Sequence, residues 1–404
     1  MKVLFVSAAF PPMKAGEADH AYHQCLHLAK LGVETHLLTT EANRWTQEVP
    51  FTVHPIMRTW SWTDLPRFIR FVKRCSPDRV FLFYIGWVYN EHPMVTFAPT
   101  VCKRILPHCR VVTMFAYPQG SVSDRFSPIT RAVRRVVAKW ASEQDSDYEF
   151  GTLLRDSDAV IVMSDGHRQA FASHYAPVDK KTILVPPPPL LNMATGQDEE
   201  ARMRTRKAFG IEREDFLIAY FGYIYPPKGV ETVLRAFHLV ARTQPHARLI
   251  LIGGELGRDN PDRPAFGKEM RDLARQLGCE EKVVWTGQFS TEGDEASRYL
   301  FAADAGVFGH DLGVAMNNSS FAALIAHGLP TVATQGAALE SPIRPGDNVL
   351  LCPPKSPEAM AKTLLSIMED GDLRSRLRRG TVTLATEWFS WEKATDRIVR
   401  ALTS

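Results

Sequence analysis

At 404 residues the chain exceeds what one hydrophobic core usually organises, so two domains are expected. Its 45% hydrophobic and 23% charged residues fit an ordinary globular protein. A formal net charge of +3 is too small to mark a nucleic-acid partner, and no stretch approaches the ~20 apolar residues that span a membrane.

The charge is uneven: residues 1–190 balance at +5 and the remainder at −2. Six cysteines (Cys25, Cys75, Cys102, Cys109, Cys279 and Cys352) show neither C-x-x-C nor metal-ligand spacing. Most sit in apolar patterns, which reads as buried, reduced thiols in a cytoplasmic protein. The opening twelve residues mimic a signal peptide, but their apolar run is short and ends in Pro-Pro, so they read as a first strand.

Residues 2–7 form that strand. A loop over 10–16 leads to a helix from about Glu17 to Leu31, with Ala18, Ala21, Tyr22, Cys25, Leu28 and Ala29 on its buried face and Gly32 ending it. The next strand, 33–39, completes a β-α-β unit whose crossover is expected to be right-handed. Gly16 at the loop-to-helix junction either lets a ligand approach the backbone or makes the turn. Glu17 and Asp19 beside it either orient a ligand hydroxyl or complement the helix dipole.

Strand-like runs at 79–85, 110–115, 159–163 and 182–185 alternate with helical patterns, which predicts a doubly wound α/β domain. Two of the intervening segments are basic and amphipathic. One runs from Leu65 to Arg74, with Phe68, Ile69, Phe71 and Val72 among Arg67, Arg70, Lys73 and Arg74. The other runs from Ile129 to Trp140 after a Ser127-Pro128 helix start, with Arg131, Arg134, Arg135 and Lys139. Each reads either as a core-facing helix with a solvated basic face or as a peripheral contact with an anionic membrane.

The Pro186 to Pro189 run is the clearest linker, and the charged, poorly periodic run 197–206 follows it. The domain boundary is expected near residue 190. The second half repeats the alternation, with strands at 216–221, 248–252, 282–285, 305–308, 331–333 and 349–351. Its expected helices include 228–242, 267–277, 319–326 and 357–369.

Two stretches of this half carry chemistry. In 216–237 an apolar strand breaks at Gly222, crosses a loop with Pro226 and Pro227, and restarts at Lys228-Gly229 with helical spacing. Backbone N–H groups, a helix dipole and one lysine at a sheet's carboxyl edge favour an anion; a solvated lysine in an ordinary strand-loop-helix reads the same way. In 305–334 a strand ends near Phe308, a loop holds His310 and Asp311, and Asn318, Ser319 and Ser320 begin a helix. Those three residues suit a helix cap, or a second side of a diphosphate site.

The segments FGYIYPPKG, GLPTVAT, PIRPGDNVLLCPP and WFSWEKA resemble a GT-B glycosyltransferase of retaining family four. The resemblance covers nearly the whole chain. It implies two Rossmann-like domains facing a cleft: an acceptor-side domain over 1–190 and a nucleotide-sugar domain over 191–385. A helix within 386–404 should return to the first domain.

It further implies transfer of a hexose from a nucleotide-sugar, UDP-linked, to a polysaccharide or lipid-linked acceptor, with retention and without a metal or other cofactor. Lys228 would be the catalytic cation. Gly16, Gly222, Tyr223, Phe289, His310, Asp311, Asn318, Ser319 and Ser320 would bind the donor, and Glu17 and Asp19 the acceptor. Phe289 matches a position that touches the base, although a core phenylalanine fits it equally. Departures fall on functional positions: Tyr223 replaces an arginine, Ala315 and Ala323 replace a pair of glutamates, and Phe115 replaces a histidine. These departures leave a second reading open, a degenerate scaffold that binds a nucleotide or a partner without chemistry.

Overall fold

The computed structural model describes residues 1–118, 127–141, 149–255, 266–290 and 292–404. It divides into two units, one of Met1–Pro186 with Ala394–Ser404 and one of Pro187–Lys393.

The first unit is a sheet of seven parallel strands: β1 (Lys2–Val6), β2 (Glu34–Thr40), β3 (Thr52–Met57), β4 (Arg79–Tyr84), β5 (Arg110–Phe115), β6 (Ala159–Val162) and β7 (Thr182–Leu184). Their spatial order is β3-β2-β1-β4-β5-β6-β7. Unbroken apolar strands follow from burial on both faces. Leu4, Val6, Val80 and Leu82 enter one core cluster, whereas Val3, Phe5, Phe81 and Phe83 enter the cluster on the opposite face. β3 escapes the sequence reading because it is a half-exposed edge strand carrying Pro55, a residue that only an edge tolerates.

The chain's last residues close the second face. Ala394, Ile398, Ala401 and Leu402, on the Trp391–Thr403 helix, join its core, and the carbonyls of Leu402 and Ala401 accept from Arg79 (2.5 Å) and Arg110 (2.9 Å). Those two bonds satisfy carbonyls that a helix end leaves without intrahelical partners.

The two basic segments part company here. The Leu65–Cys75 helix buries Phe68, Phe71 and Val72 in the core, so its apolar face has no surface left for a bilayer. Arg70, Lys73 and Arg74 are its solvated face. The Pro128–Ala141 helix begins where Ser127-Pro128 places it, Ser127 Oγ accepting from Thr130 N–H at 3.2 Å. Its apolar residues are not all enclosed.

The second unit is a six-stranded parallel sheet of β8 (Phe216–Phe221), β9 (Ala247–Ile252), β10 (Val283–Gly287), β11 (Ala305–Phe308), β12 (Thr331–Thr334) and β13 (Leu350–Cys352). The order is β10-β9-β8-β11-β12-β13. Alternate residues of β8 again feed opposite cores: Leu217, Ala219 and Phe221 one, Ile218 and Tyr220 the other. Among the described residues no helix is long and apolar enough to cross a membrane.

The run 197–206, charged and poorly periodic in sequence, is mostly helix, Glu199–Ala208. Asp198 caps it by accepting from Ala201 N–H, Glu199 and Glu200 sit in the first turn, and Arg206 and Lys207 in the last. It shows no apolar stripe because a guanidinium does the anchoring. Arg206 is 1% exposed and donates to Ala302 O, Glu212 O, Asp215 O and Asp304 Oδ2. Truncating it strands those acceptors inside the protein. Arg206→Ala is therefore expected to destabilise this unit by about 3 kcal/mol. Urea unfolding followed by circular dichroism checks this; an unchanged midpoint would show that the buried guanidinium contributes nothing net.

Candidate functional site

A parallel sheet delivers every strand-to-helix loop to the same edge. In the second unit the chain steps from β8 outward to β9 and β10, then returns to place β11 on β8's other side. That reversal opens a crevice beyond the carboxyl ends of β8 and β11, where doubly wound sheets bind ligands. The loops from these strands are the two stretches singled out above.

They are locked together by backbone. Gly229 has φ 68°, and a Cβ there would lie 1.7 Å from Gly309 O. Asp311 N–H donates to Pro227 O at 2.9 Å. At the base of the same loop Gly222 has φ 135°, and a Cβ would lie 2.6 Å from Ser320 Oγ. A side chain at either glycine would push the two loops apart.

Lys228 does not open the following helix as expected. It ends a short 3₁₀ turn, Pro226–Lys228; Gly229 is left-handed and the helix is Val230–Thr243. Two successive prolines fix that turn before the α-helix can start. The Lys228 ammonium lies 5.6 Å from the Tyr225 ring centroid.

His310, across the crevice, is half-buried and stacks on Phe308. Burial, and next the Lys228 charge, lower its pKa to about 4. Its Nδ1 accepts from Leu312 N–H at 3.1 Å, which places the proton of the neutral ring on Nε2. The imidazole is thus an uncharged donor beside a fixed cation. Asp311 lies 3.5 Å from Lys355 Nζ.

Asn318 stands at the N-cap of the Ser319–Ala326 helix without capping it. Its Oδ1 turns back to accept from Ala315 N–H at 2.7 Å, so the capping expectation fails: the side chain braces the preceding loop instead. No side-chain cap occupies the helix's first turn, where N–H groups and dipole favour an anion. Ser320 is buried there and Ser319 half-buried.

Gly222, Tyr223, Lys228, His310, Asp311, Asn318, Ser319 and Ser320 therefore sit on the two loops of one crevice. Tyr223 is half-buried, its carbonyl accepting from the Tyr220 hydroxyl at 3.0 Å. Phe289, just after β10, packs against the core and stacks on Phe221 at 5.5 Å. Gly16, Glu17 and Asp19 form a separate group in the first unit, on the loop after β1 and the start of the Gly16–Lys30 helix. There the order β2-β1-β4 creates the corresponding reversal. A Cβ on Gly16 would meet no atom within 4 Å, so the turn does not demand glycine.

Sequence reasoning missed Tyr225, Lys355 and Glu340. Lys355 follows β13, whose loop reaches the same edge as the loops after β8 and β11. Glu340, which accepts from Met316 N–H at 2.5 Å, carries no sequence signal. Among the described residues no three acids, cysteines or histidines converge as metal ligands. An ammonium, a neutral N–H donor and a helix start suit a polyanion.

Residues 215–370, within this unit, match the model of glycosyl transferases group 1. D-inositol 3-phosphate glycosyltransferase of Corynebacterium glutamicum is 25% identical over 246 residues, 59% of this chain and 55% of the relative. Mannosylfructose-phosphate synthase of Agrobacterium fabrum is 24% identical over 244 residues, 59% and 51% of the two chains. The chain spans about half the length of these curated relatives. Anabaena Alr3699/HepE, solved in complex with UDP and glucose, aligns with 100% of this chain and 99% of its own at TM-score 0.69 and 15% identity. That likeness establishes the fold, and the two Rossmann-like units are those of the GT-B class.

The second unit should hold His310 neutral through the whole physiological range. Its imidazole protons, followed by NMR, are expected to titrate near pH 4. Lys228→Met should raise the midpoint only part of the way to 6.5, since burial is the larger cause. A midpoint near 6.5 in the intact protein would show that the ring is solvated.

Proposed function

We propose that the chain transfers a hexose from a UDP-sugar to a polysaccharide or lipid-linked acceptor, with retention of configuration and without a metal. The observation that carries this reading is the set of three anion-stabilising elements on the β8–β11 crevice: the Lys228 ammonium, the His310 Nε2–H and the start of the Ser319–Ala326 helix. The match of residues 215–370 to the model of glycosyl transferases group 1 supports a sugar donor. A neighbour of the same fold solved with UDP and glucose supports the nucleotide. The cytoplasm, where the six free cysteines would stay reduced, suits such chemistry.

The chemistry needs little covalent help from protein. As the bond from the anomeric carbon to the β-phosphate oxygen lengthens, positive charge spreads over the sugar ring and negative charge gathers on the diphosphate. The departing oxygen then takes the proton of the acceptor hydroxyl, which attacks from the same face. No protein nucleophile enters, and retention results. Preorganised charge stabilisation on the diphosphate is the main lever, typically worth about 3 kcal/mol per donor. Lys228 supplies the full charge. His310 contributes a hydrogen bond without adding a proton-dependent charge, so binding should be flat with pH above about 5.

Asp311, 3.5 Å from Lys355 Nζ, would accept from sugar hydroxyls. Phe289 would lie against the base. Tyr223, standing where the resemblance implies an arginine, would leave the diphosphate with one cation fewer. Gly16, Glu17 and Asp19 would receive the acceptor.

A binding module without catalysis is the second reading. It is favoured by Ala323, which is fully buried where a donor-contacting glutamate is expected. Calorimetry with UDP, GDP and ADP, paired with turnover of the matching nucleotide-sugars, separates the two. The transferase reading predicts tight binding of UDP, turnover that survives EDTA, and a loss of about 100-fold in kcat/KM for Lys228→Ala. Binding without turnover supports the second reading. Unchanged turnover in Lys228→Ala, or turnover abolished by chelator and restored by magnesium, contradicts the first.

A further inference from the structure

The loop after β13 brings a lysine to the crevice edge in a conformation that lysine disfavours. Residues 353–357 read Pro-Pro-Lys-Ser-Pro, and the Pro357–Glu369 helix follows. Lys355 lies in the turn with φ 56°. Among the described residues of the second unit it is the only non-glycine with a positive φ. A Cβ is crowded in that left-handed region, and a turn position of this kind favours glycine or asparagine.

The strain is matched by what the side chain reaches. Lys355 Nζ lies 3.5 Å from Asp311 Oδ2, with the lysine side chain 71% exposed. An ion pair so open to water adds little to stability, so folding alone does not account for a lysine here. Asp311, by contrast, is part of the crevice. It sits on the loop after β11, and its N–H closes onto Pro227 O, next to Lys228 in the chain.

The charges on the crevice's own two loops cancel. Residues 222–229 and 309–318 hold Lys228 and Asp311 as their only charged side chains at neutral pH, since His310 is neutral there. A sum of zero is a poor setting for a diphosphate, and the uncharged Tyr223, where the resemblance implies an arginine, does not correct it. An unpaired carboxylate on these loops would repel the diphosphate and offset the pull of Lys228. Lys355, delivered by a third loop, pairs with that carboxylate and returns the group to a net positive charge.

We propose that Lys355 is a positioning residue of the crevice: it occupies Asp311 so that the charge of Lys228 stays available to the nucleotide's diphosphate. The inference rests on the nucleotide-sugar site proposed above and adds the group that compensates for Tyr223.

Calorimetric titration of the full chain with UDP tests it without turnover. Lys355→Met and Lys355→Gly should each bind UDP about fivefold more weakly than wild type. Lys355→Arg should retain wild-type affinity, because the countercharge is kept. The double variant Asp311→Asn/Lys355→Met should recover wild-type affinity, since a neutral amide needs no countercharge. Lys355→Gly relaxes the left-handed turn, so its melting temperature should match or exceed that of wild type.

Lys355→Met binding as tightly as wild type would reduce the pair to a surface contact and overturn the proposal. A double variant as weak as Lys355→Met would overturn it differently, because Lys355 would then touch the ligand itself. Wild-type protein that binds none of UDP, GDP and ADP would remove the nucleotide site first and this inference with it, an outcome distinct from a bound nucleotide that ignores Lys355.

Discussion

A contact between two backbones organises the second unit. Where the loops after β8 and β11 meet, the Gly229 α-carbon faces the Gly309 carbonyl with no room for a side chain, and Asp311 N–H closes onto Pro227 O. Two loops that are far apart in the chain therefore move as one body. Their juncture lies where the strand order reverses, so the groups they carry face the crevice that the topology creates. In the proposed site the lysine, the histidine and the helix start would serve one ligand because the glycines let the loops touch.

The electrostatics of that crevice follow from placement. His310 would be half-charged near neutrality in water, yet burial and the neighbouring ammonium keep it neutral. Its tautomer is set by a backbone N–H two residues on. The departures from the family pattern are structurally settled as well. Ala315 N–H is taken by Asn318. Ala323 is enclosed, and its carbonyl accepts from His327 Nδ1–H, whose Nε2 lies 2.7 Å from the buried Ser297 hydroxyl. In the proposed reaction, Lys228 is left with more of the diphosphate charge than where an arginine assists.

How much of this could be read in advance depends on what each segment's pattern encoded. β5, β8 and β11 were legible to the residue, because a continuous apolar run ended by Gly or a loop has few alternatives in a parallel sheet. The helices Ser319–Ala326 and Pro357–Glu369 were equally plain. β3 was not, since an edge strand is only half buried and its pattern fades. The Glu199–Ala208 helix was hidden because its anchor is the buried Arg206, and hydrophobic periodicity cannot register a guanidinium.

At the site, residue types and order identified the two loops, but not what the side chains do there. Asn318 looked like a cap and braces a loop, and Lys228 looked helical and ends a turn. Lys355 becomes visible only when the β13 loop is seen to share the edge. Each of these depends on contacts between segments distant in sequence, which local pattern does not contain.

The central claim is that a diphosphate is neutralised in the β8–β11 crevice by an ammonium and protein N–H donors. A crystal structure of the chain soaked with UDP tests it most directly. The account predicts the β-phosphate within hydrogen-bond distance of Lys228 Nζ and over the first turn of the Ser319–Ala326 helix. A pyrophosphate bound elsewhere, with Lys228 turned to solvent, would contradict it.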